Sequence, residues 1–364
     1  MSEIKTFVPT PDSPPPLTST GVLRWLRDNL FSSWFNSLLT LLALALLVRV
    51  VPPLVSWALV HAVWTGGPGV CDDASGACWA FIAAKARVML IGTYPPELAW
   101  RPLAAGALLA GVVAATVSGR CKKRVLTGLW PVFFAAALWL VGGGAGLETV
   151  DQSRWGGLML SLGLAAVGIL VSVPLGILLA LGRRSGMGGV SAVCIGFIEL
   201  VRGVPLITIL FMASVMMPLF LPPNFQINNL LRVQVGIILF SSAYIAEVVR
   251  GGLQAIPKGQ IDAAKALGLS PWMVTVFVVL PQAVRHVLPA LIGRCIALFK
   301  DTSLVIIVGL LDFLGMAKAA SQDQLWLGHE VEGYVFCAAV YWVICFGMSR
   351  YGRSLEKRGP QTNR

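Results

Sequence analysis

The chain has little charge. Asp, Glu, Lys and Arg make up 12% of its 364 residues, whereas a soluble domain carries about 25%. Hydrophobic residues reach 56%, which excludes a water-soluble globular protein. There are only three histidines (His61, His286 and His329), and they are scattered. No metal-ligand spacing is present, so no metal site is expected. The chain also lacks a Gly-x4-Gly-Lys-Ser/Thr phosphate loop, so it has no ATPase of its own and is not expected to be an enzyme. No basic patch is interleaved with stacking aromatics, which argues against nucleic-acid binding despite the net charge of +11. No internal repeat supports an inverted-repeat architecture. Residues 1–20 hold Pro9, Pro11, Pro14, Pro15 and Pro16 but no apolar h-region. They read as a disordered cytoplasmic tail, not a cleavable signal.

What is abundant is apolar sequence in runs of helical length. The expected fold class is an all-α integral membrane protein with about eight transmembrane helices, because only helices or closed barrels satisfy the backbone in lipid. The spans centre on 37–60, 102–118, 125–142, 156–182, 195–220, 233–249, 287–316 and 333–349. The seventh is the least regular, since Pro289, Gly293 and Lys300-Asp301-Thr302-Ser303 interrupt it. It reads as a helix followed by a broken or re-entrant segment. With the N-terminus inside, cytoplasmic segments carry 18 Lys/Arg and outer segments 6. The positive-inside rule then places both termini in the cytoplasm. The excess positive charge follows from that topology and from anionic lipid.

The expected organisation is a cytoplasmic tail over 1–36, a three-span extension over 37–150 with an outer loop at 61–101, a core over 151–350 and a basic cytoplasmic tail over 351–364. Within the outer loop, 79–90 looks like an amphipathic helix lying on the membrane. Cys71 and Cys78 fall in the same loop. An oxidising exterior permits a disulfide between them, and two free thiols are the alternative. Cys194, Cys295, Cys337 and Cys345 lie in or near spans and read as packing residues.

A polar island at 256–271 separates two apolar stretches. Pro257 suits the first position of a helix, and 257–267 would form about three turns, roughly 16 Å, too short to span a bilayer. Gly268 suits a left-handed helix end. Ser270 then caps a second helix with Pro271 at its first position. Ile261, Ala264 and Leu267 recur at helical spacing and form one small apolar face.

The island reads Asp262-Ala263-Ala264-x3-Gly268, then nine residues, then Val278-Val279-Leu280-Pro281. It resembles the cytoplasmic loop of ABC importer permeases, whose pattern is Glu-Ala-Ala-x3-Gly-x9-Ile-x-Leu-Pro. Asp262 and Val278 depart from it while keeping charge or shape. Glu199-Leu200-Val201-Arg202-Gly203-Val204-Pro205-Leu206, Ser242 through Gly252, Leu298 through Leu304 and the Gly156–Leu181 stretch extend the resemblance over about 155–350. It is to the polar amino acid branch. The first three spans resemble an extension seen in general L-amino acid permeases of Gram-negative bacteria.

The resemblance implies that the C-terminal five spans form a type I ABC importer permease core in the bacterial inner membrane. The island would be a coupling helix docked on a separate ATP-binding subunit, through Asp262, Ala263, Ala264, Leu267, Gly268, Leu280 and Pro281. Gly268 would hold the corner, and Leu280-Pro281 would end the second helix. The implied partners are a second, related permease chain, two ATPase subunits that hold ATP and Mg, a periplasmic amino-acid-binding protein, membrane lipid and an amino acid substrate. The chain itself would carry no cofactor. The competing function is an ion-coupled secondary amino acid transporter.

Ionisable groups inside spans are costly and usually functional. Glu199 and Arg202 lie three apart and can pair. Together with Ser241, Tyr244, Glu247, Asp301, Thr302 and Ser303 they are candidates to line the substrate route. The alternative for the charged ones is structural ion pairing or snorkelling. Arg49, ahead of Pro52-Pro53, marks either a kink or the edge of the first span.

Overall fold

The computed structural model describes residues 21–72, 74–119, 121–222 and 227–357. The proline-rich 1–20 and the tail end 358–364 lie outside the described residues. The chain divides into two compact units, one comprising residues up to Gly66 with Val70–Trp79, the other the remainder.

In the first unit, α1 (Val22–Asn29) precedes α2 (Trp34–Val55). Thus 21–36, expected as tail, already holds a helix. Ser33 caps α2 by accepting from the Asn36 amide (3.2 Å). Pro52 and Pro53 stay within the helix, which widens beyond them into a π-helical turn at Ser56–Val60. Arg49 is exposed on α2. Cys71 and Cys78 are disulfide-bonded, with Cα atoms 5.9 Å apart. Trp79 stacks near Trp57 and Trp64 (6.4 and 6.1 Å) and donates its indole N–H to the Ala58 carbonyl (2.7 Å).

The second unit holds α3 (Trp79–Ile91), counted from Ala80, then α4 (Trp100–Ser118), α5 (Lys123–Gly142), α6 (Gly157–Arg183), α7 (Gly188–Arg202), α8 (Leu206–Phe211) and α9 (Asn229–Gln254). It continues with α10 (Lys258–Ala266), α11 (Pro271–Met273), α12 (Leu280–His286), α13 (Leu288–Asp301), α14 (Phe313–Ser321) and α15 (Glu330–Lys357). Among the described residues six helices are long and apolar enough to cross a membrane, or seven counting a bent pair. They match six of the eight expected spans.

The other two are interrupted. The fifth is that bent pair: α7 and the segment Leu206–Phe220 meet at 104°. Pro205 has no amide to donate and disfavours helical backbone at Val204, so the helix stops and restarts. The seventh breaks after α13. A 3-10 stretch, Thr302–Val308, leads to a left-handed Gly309 (φ 81°), and Asp312 caps α14 by accepting from the Leu314 and Gly315 amides (3.3 and 3.0 Å). Pro289 does not interrupt α13, since it sits in the first turn, where no amide is needed.

The centre of this unit is the long seam between α6 and α9, with α7, α8, α12 and α13 packed around α9. Small residues make the seam close. A Cβ on Gly176 would stand 2.6 Å from Ile245 and 2.9 Å from the Ser242 carbonyl. In lipid, where water supplies no drive between helices, such close approach is what holds them together.

Helix α3 is too short to span, as expected, but it does not lie free on a membrane surface. Phe81 and Met89 are fully buried, and Phe81 packs on Trp326 and His329 (5.9 and 6.0 Å). Lys85 pairs with Asp323 at 2.6 Å. The apolar face that suggested lipid is covered by protein.

Candidate functional site

The island folds as helix, corner, helix. Pro257 is the N-cap of α10, one position before the expected place. At the other end Gly268 is left-handed (φ 77°), donates to the Lys265 carbonyl (2.9 Å), and leaves the Leu269 amide to reach the Ala264 carbonyl (3.3 Å). These bonds satisfy carbonyls that a helix end leaves unpaired. Ser270 accepts from the Met273 amide (3.4 Å), and Pro271 opens the next helix.

One face of the corner is anchored and the other open. Ala264 is buried with Ile256, Val274, Val279 and Ala283 against Val249 and Leu253 of α9. Asp262, Ala263 and Gly268 are exposed. Leu267, expected on the same apolar face as Ala264, is 82% exposed, and Trp272 and Phe277 are also open (68% and 70%). The corner therefore presents apolar surface outward while its back is continuous with the α9 packing. Gly252 fixes that joint, because a Cβ there would lie 2.7 Å from the Ala283 carbonyl of α12.

Leu280-Pro281 does not end the second helix. The chain runs from α11 through a π-helical stretch, Val274–Val279, into α12, and the turn comes at Val287. Pro281 cannot donate, and the wider π spacing before it makes room for its ring, so the helix bulges and continues.

The expected Glu199–Arg202 pair does not form. Glu199 pairs with Arg183 of α6 (3.0 Å), while Arg202 pairs with Glu247 of α9 (3.5 Å). Glu247 also meets Arg183 (3.5 Å) and Arg250. A partner on a neighbouring helix replaces the one three residues away, and the network ties α6, α7 and α9 together. Arg183 was not singled out in the sequence, because its place at a span end gave the look of a topology marker.

Tyr244 lies beside this network. The Arg202 and Arg294 guanidinium groups stand 5.6 and 4.4 Å from its ring centre. Sequence reasoning passed over Arg294, although an arginine inside the seventh span was itself the available signal. Ser241 and Thr302 are buried (3% and 0% exposed), and Thr302 donates to the Phe299 carbonyl at 2.7 Å. Both hydroxyl side chains are thus packed inside the protein in this conformation. Ser303 spends its hydroxyl on the Lys300 carbonyl (2.8 Å), and Asp301 is half-buried at the end of α13.

Residues 172–358 match the family described as binding-protein-dependent transport system inner membrane component. The inner membrane amino-acid ABC transporter permease protein YhdY of Escherichia coli K12 is 47% identical over 360 residues, covering 97% of each chain. The chain belongs to this permease family. A glutamate/glutamine/aspartate/asparagine transport system permease protein, BztC of Rhodobacter capsulatus, is 35% identical and covers 96% of each chain. The glutamate/aspartate import permease GltK of Escherichia coli O157:H7 is 31% identical over 56% of this chain and 91% of its own. A crystal structure of an amino acid ABC transporter with histidines aligns with TM-score 0.50 and 28% identity, over 56% of this chain and 92% of that one. The protein is thus a multi-pass inner-membrane permease subunit of a binding-protein-dependent ABC importer, with ATPase activity on separate subunits. The ion-coupled alternative is set aside.

Proposed function

We propose that this permease imports L-amino acids as one half of a heterodimer with a second, related permease chain. Two ATP-binding subunits, holding ATP and Mg, dock on the α10–Gly268–α11 corner. A periplasmic amino-acid-binding protein delivers substrate to the opposite face, and both termini lie in the cytoplasm. The observation that carries this reading is the corner itself: exposed at Asp262, Leu267 and Gly268, and locked behind Ala264 to the α9 core. Nucleotide-driven movement at the corner would pass through Gly252 and Ala283 into the spans, which then alternate between outward- and inward-open states. The amino-acid class is that of the relatives, and the narrower choice falls largely to the binding protein.

Gly268→Asp tests the docking assignment. It places a charge on the exposed corner, in open space but on a left-handed backbone (φ 77°) that strains any side chain. The variant should insert and co-purify with the second permease but lose ATP-driven uptake in proteoliposomes. Unimpaired uptake refutes the assignment. Purification of the tagged chain with only copies of itself refutes the heterodimer.

A further inference from the structure

Arg294 lies inside a broken span without a close ion pair, the Asp301 carboxylate being the acid that feels its charge. It lies six residues into α13, and its Nε and Nη2 are buried with no hydrogen-bond partner among the described residues. No carboxylate of the described residues comes within 4.0 Å of it. An arginine keeps its proton at any physiological pH, so it cannot escape the cost by neutralising. What holds it is the Tyr244 ring at 4.4 Å, an attraction between cation and aromatic face. Beside the same ring stands Arg202 (5.6 Å), whose own acid, Glu247, is shared with Arg183 and Arg250 and so is not free to pair with Arg294. Asp301 lies two turns farther along the same helix. Tyr244 and Arg294 are each only partly buried, so part of each side chain is open to its surroundings.

We infer that Arg294 receives the α-carboxylate of the transported amino acid, with Tyr244 holding its guanidinium in place. A planar guanidinium offers paired N–H donors matched to a carboxylate. The α-carboxylate is the one anionic group that every amino acid carries, so the contact reads the common part of the substrate and leaves side-chain choice elsewhere. This inference rests on the amino acid importer reading, and it makes Arg294 a substrate-binding residue.

The test uses the purified complete complex of both permeases and both ATPase subunits, without the binding protein. The probes are labelled L-glutamine and L-glutamate, followed by uptake with the binding protein restored. Arg294→Gln should weaken binding of both probes about tenfold or more and to a similar extent, as loss of a charge-assisted bond predicts. Arg294→Lys keeps the charge but not the fork, and should fall between the two. Tyr244→Leu should weaken binding, and Tyr244→Phe, which keeps the ring face, should restore most of it. Unchanged binding in Arg294→Gln, full binding in Arg294→Lys, or a loss confined to L-glutamate each overturns the inference. If Arg294→Gln does not assemble, the lysine variant decides alone. A wild-type complex that takes up no amino acid condemns the importer reading itself, whereas a transporting wild type with an equally good Arg294→Gln condemns only this step.

Discussion

Helices α2 and α9 are both long enough to cross the membrane, yet they differ in kind. Helix α2 is mostly Leu, Ala and Val, and none of its residues is buried. Helix α9 contains Gln234, Ser241, Ser242, Tyr244, Glu247 and three glycines, and half of it is buried, including Gly236, Ala243, Ala246 and Gly252. In water the most apolar helix would be the most buried. In lipid the order reverses, since hydrocarbon already solvates leucine and helices meet through small and polar residues. Between these two helices, then, the more apolar one is the less buried, while the equally apolar α6 is drawn into the core by the small residues of its seam (Gly168, Ser172, Gly176, Ala180).

The comparison breaks most sharply at glycines. Gly176→Val should be the most damaging change, because its Cβ would strike Ile245 and the Ser242 carbonyl across the α6–α9 seam. Overpacking of this kind costs about 1–3 kcal/mol or more, and the yield of assembled complex on size exclusion should collapse. Next comes Glu247→Gln, which removes the carboxylate shared by Arg183, Arg202 and Arg250. Breaking a fully buried pair costs about 3–5 kcal/mol. This one is partly exposed, so a loss of about 2 kcal/mol is expected, read as a lower thermal midpoint of the complex.

Gly252→Ala sharpens the comparison differently. The single methyl meets the Ala283 carbonyl and so pushes α12 from α9. Uptake should fall more than ATP hydrolysis, and a proportional fall in both would show that the joint transmits nothing. At the small end stands Leu44→Ala on α2, where Leu44 is 55% exposed. Stability of the purified complex should change by less than about 0.5 kcal/mol.

The Lys85–Asp323 pair gives a pH-dependent case. The hydrogen bond from Lys85, aided by the Leu325 amide, holds the Asp323 carboxyl below the usual carboxylate range. A depressed acid contributes stability above its unfolded pKa and loses it as pH falls through the folded value. The α3–Asp323 contact should therefore loosen only below about pH 4. Asp323→Asn should remove that dependence, as followed by Trp326 fluorescence.

Legibility followed the same division. The island was readable because each device in it is local: a proline at the helix start, a glycine at its end and a serine cap are decided by their own backbones. The six regular spans were readable from apolar length. The fifth span was not, since Val204-Pro205 sits within an apolar stretch and only the bend shows that the chain turns there. The partners of Glu199 and Arg202 were hidden because Arg183 and Glu247 lie on other helices. For α3, an apolar face looks the same whether lipid or protein covers it. Leu280-Pro281 misled for a different reason: proline was read as a stop, and a π-helical stretch can carry a helix past it.

The disulfide between Cys71 and Cys78 has a consequence for biogenesis. Thiols on the cytoplasmic side are kept reduced, so on the proposed topology this eight-residue ring closes only after its segment has crossed the membrane. The pair is a timestamp written into the chain. In pulse-labelled cells, the moment at which these two sulfurs stop reacting with an alkylating reagent dates the delivery of the first outer loop.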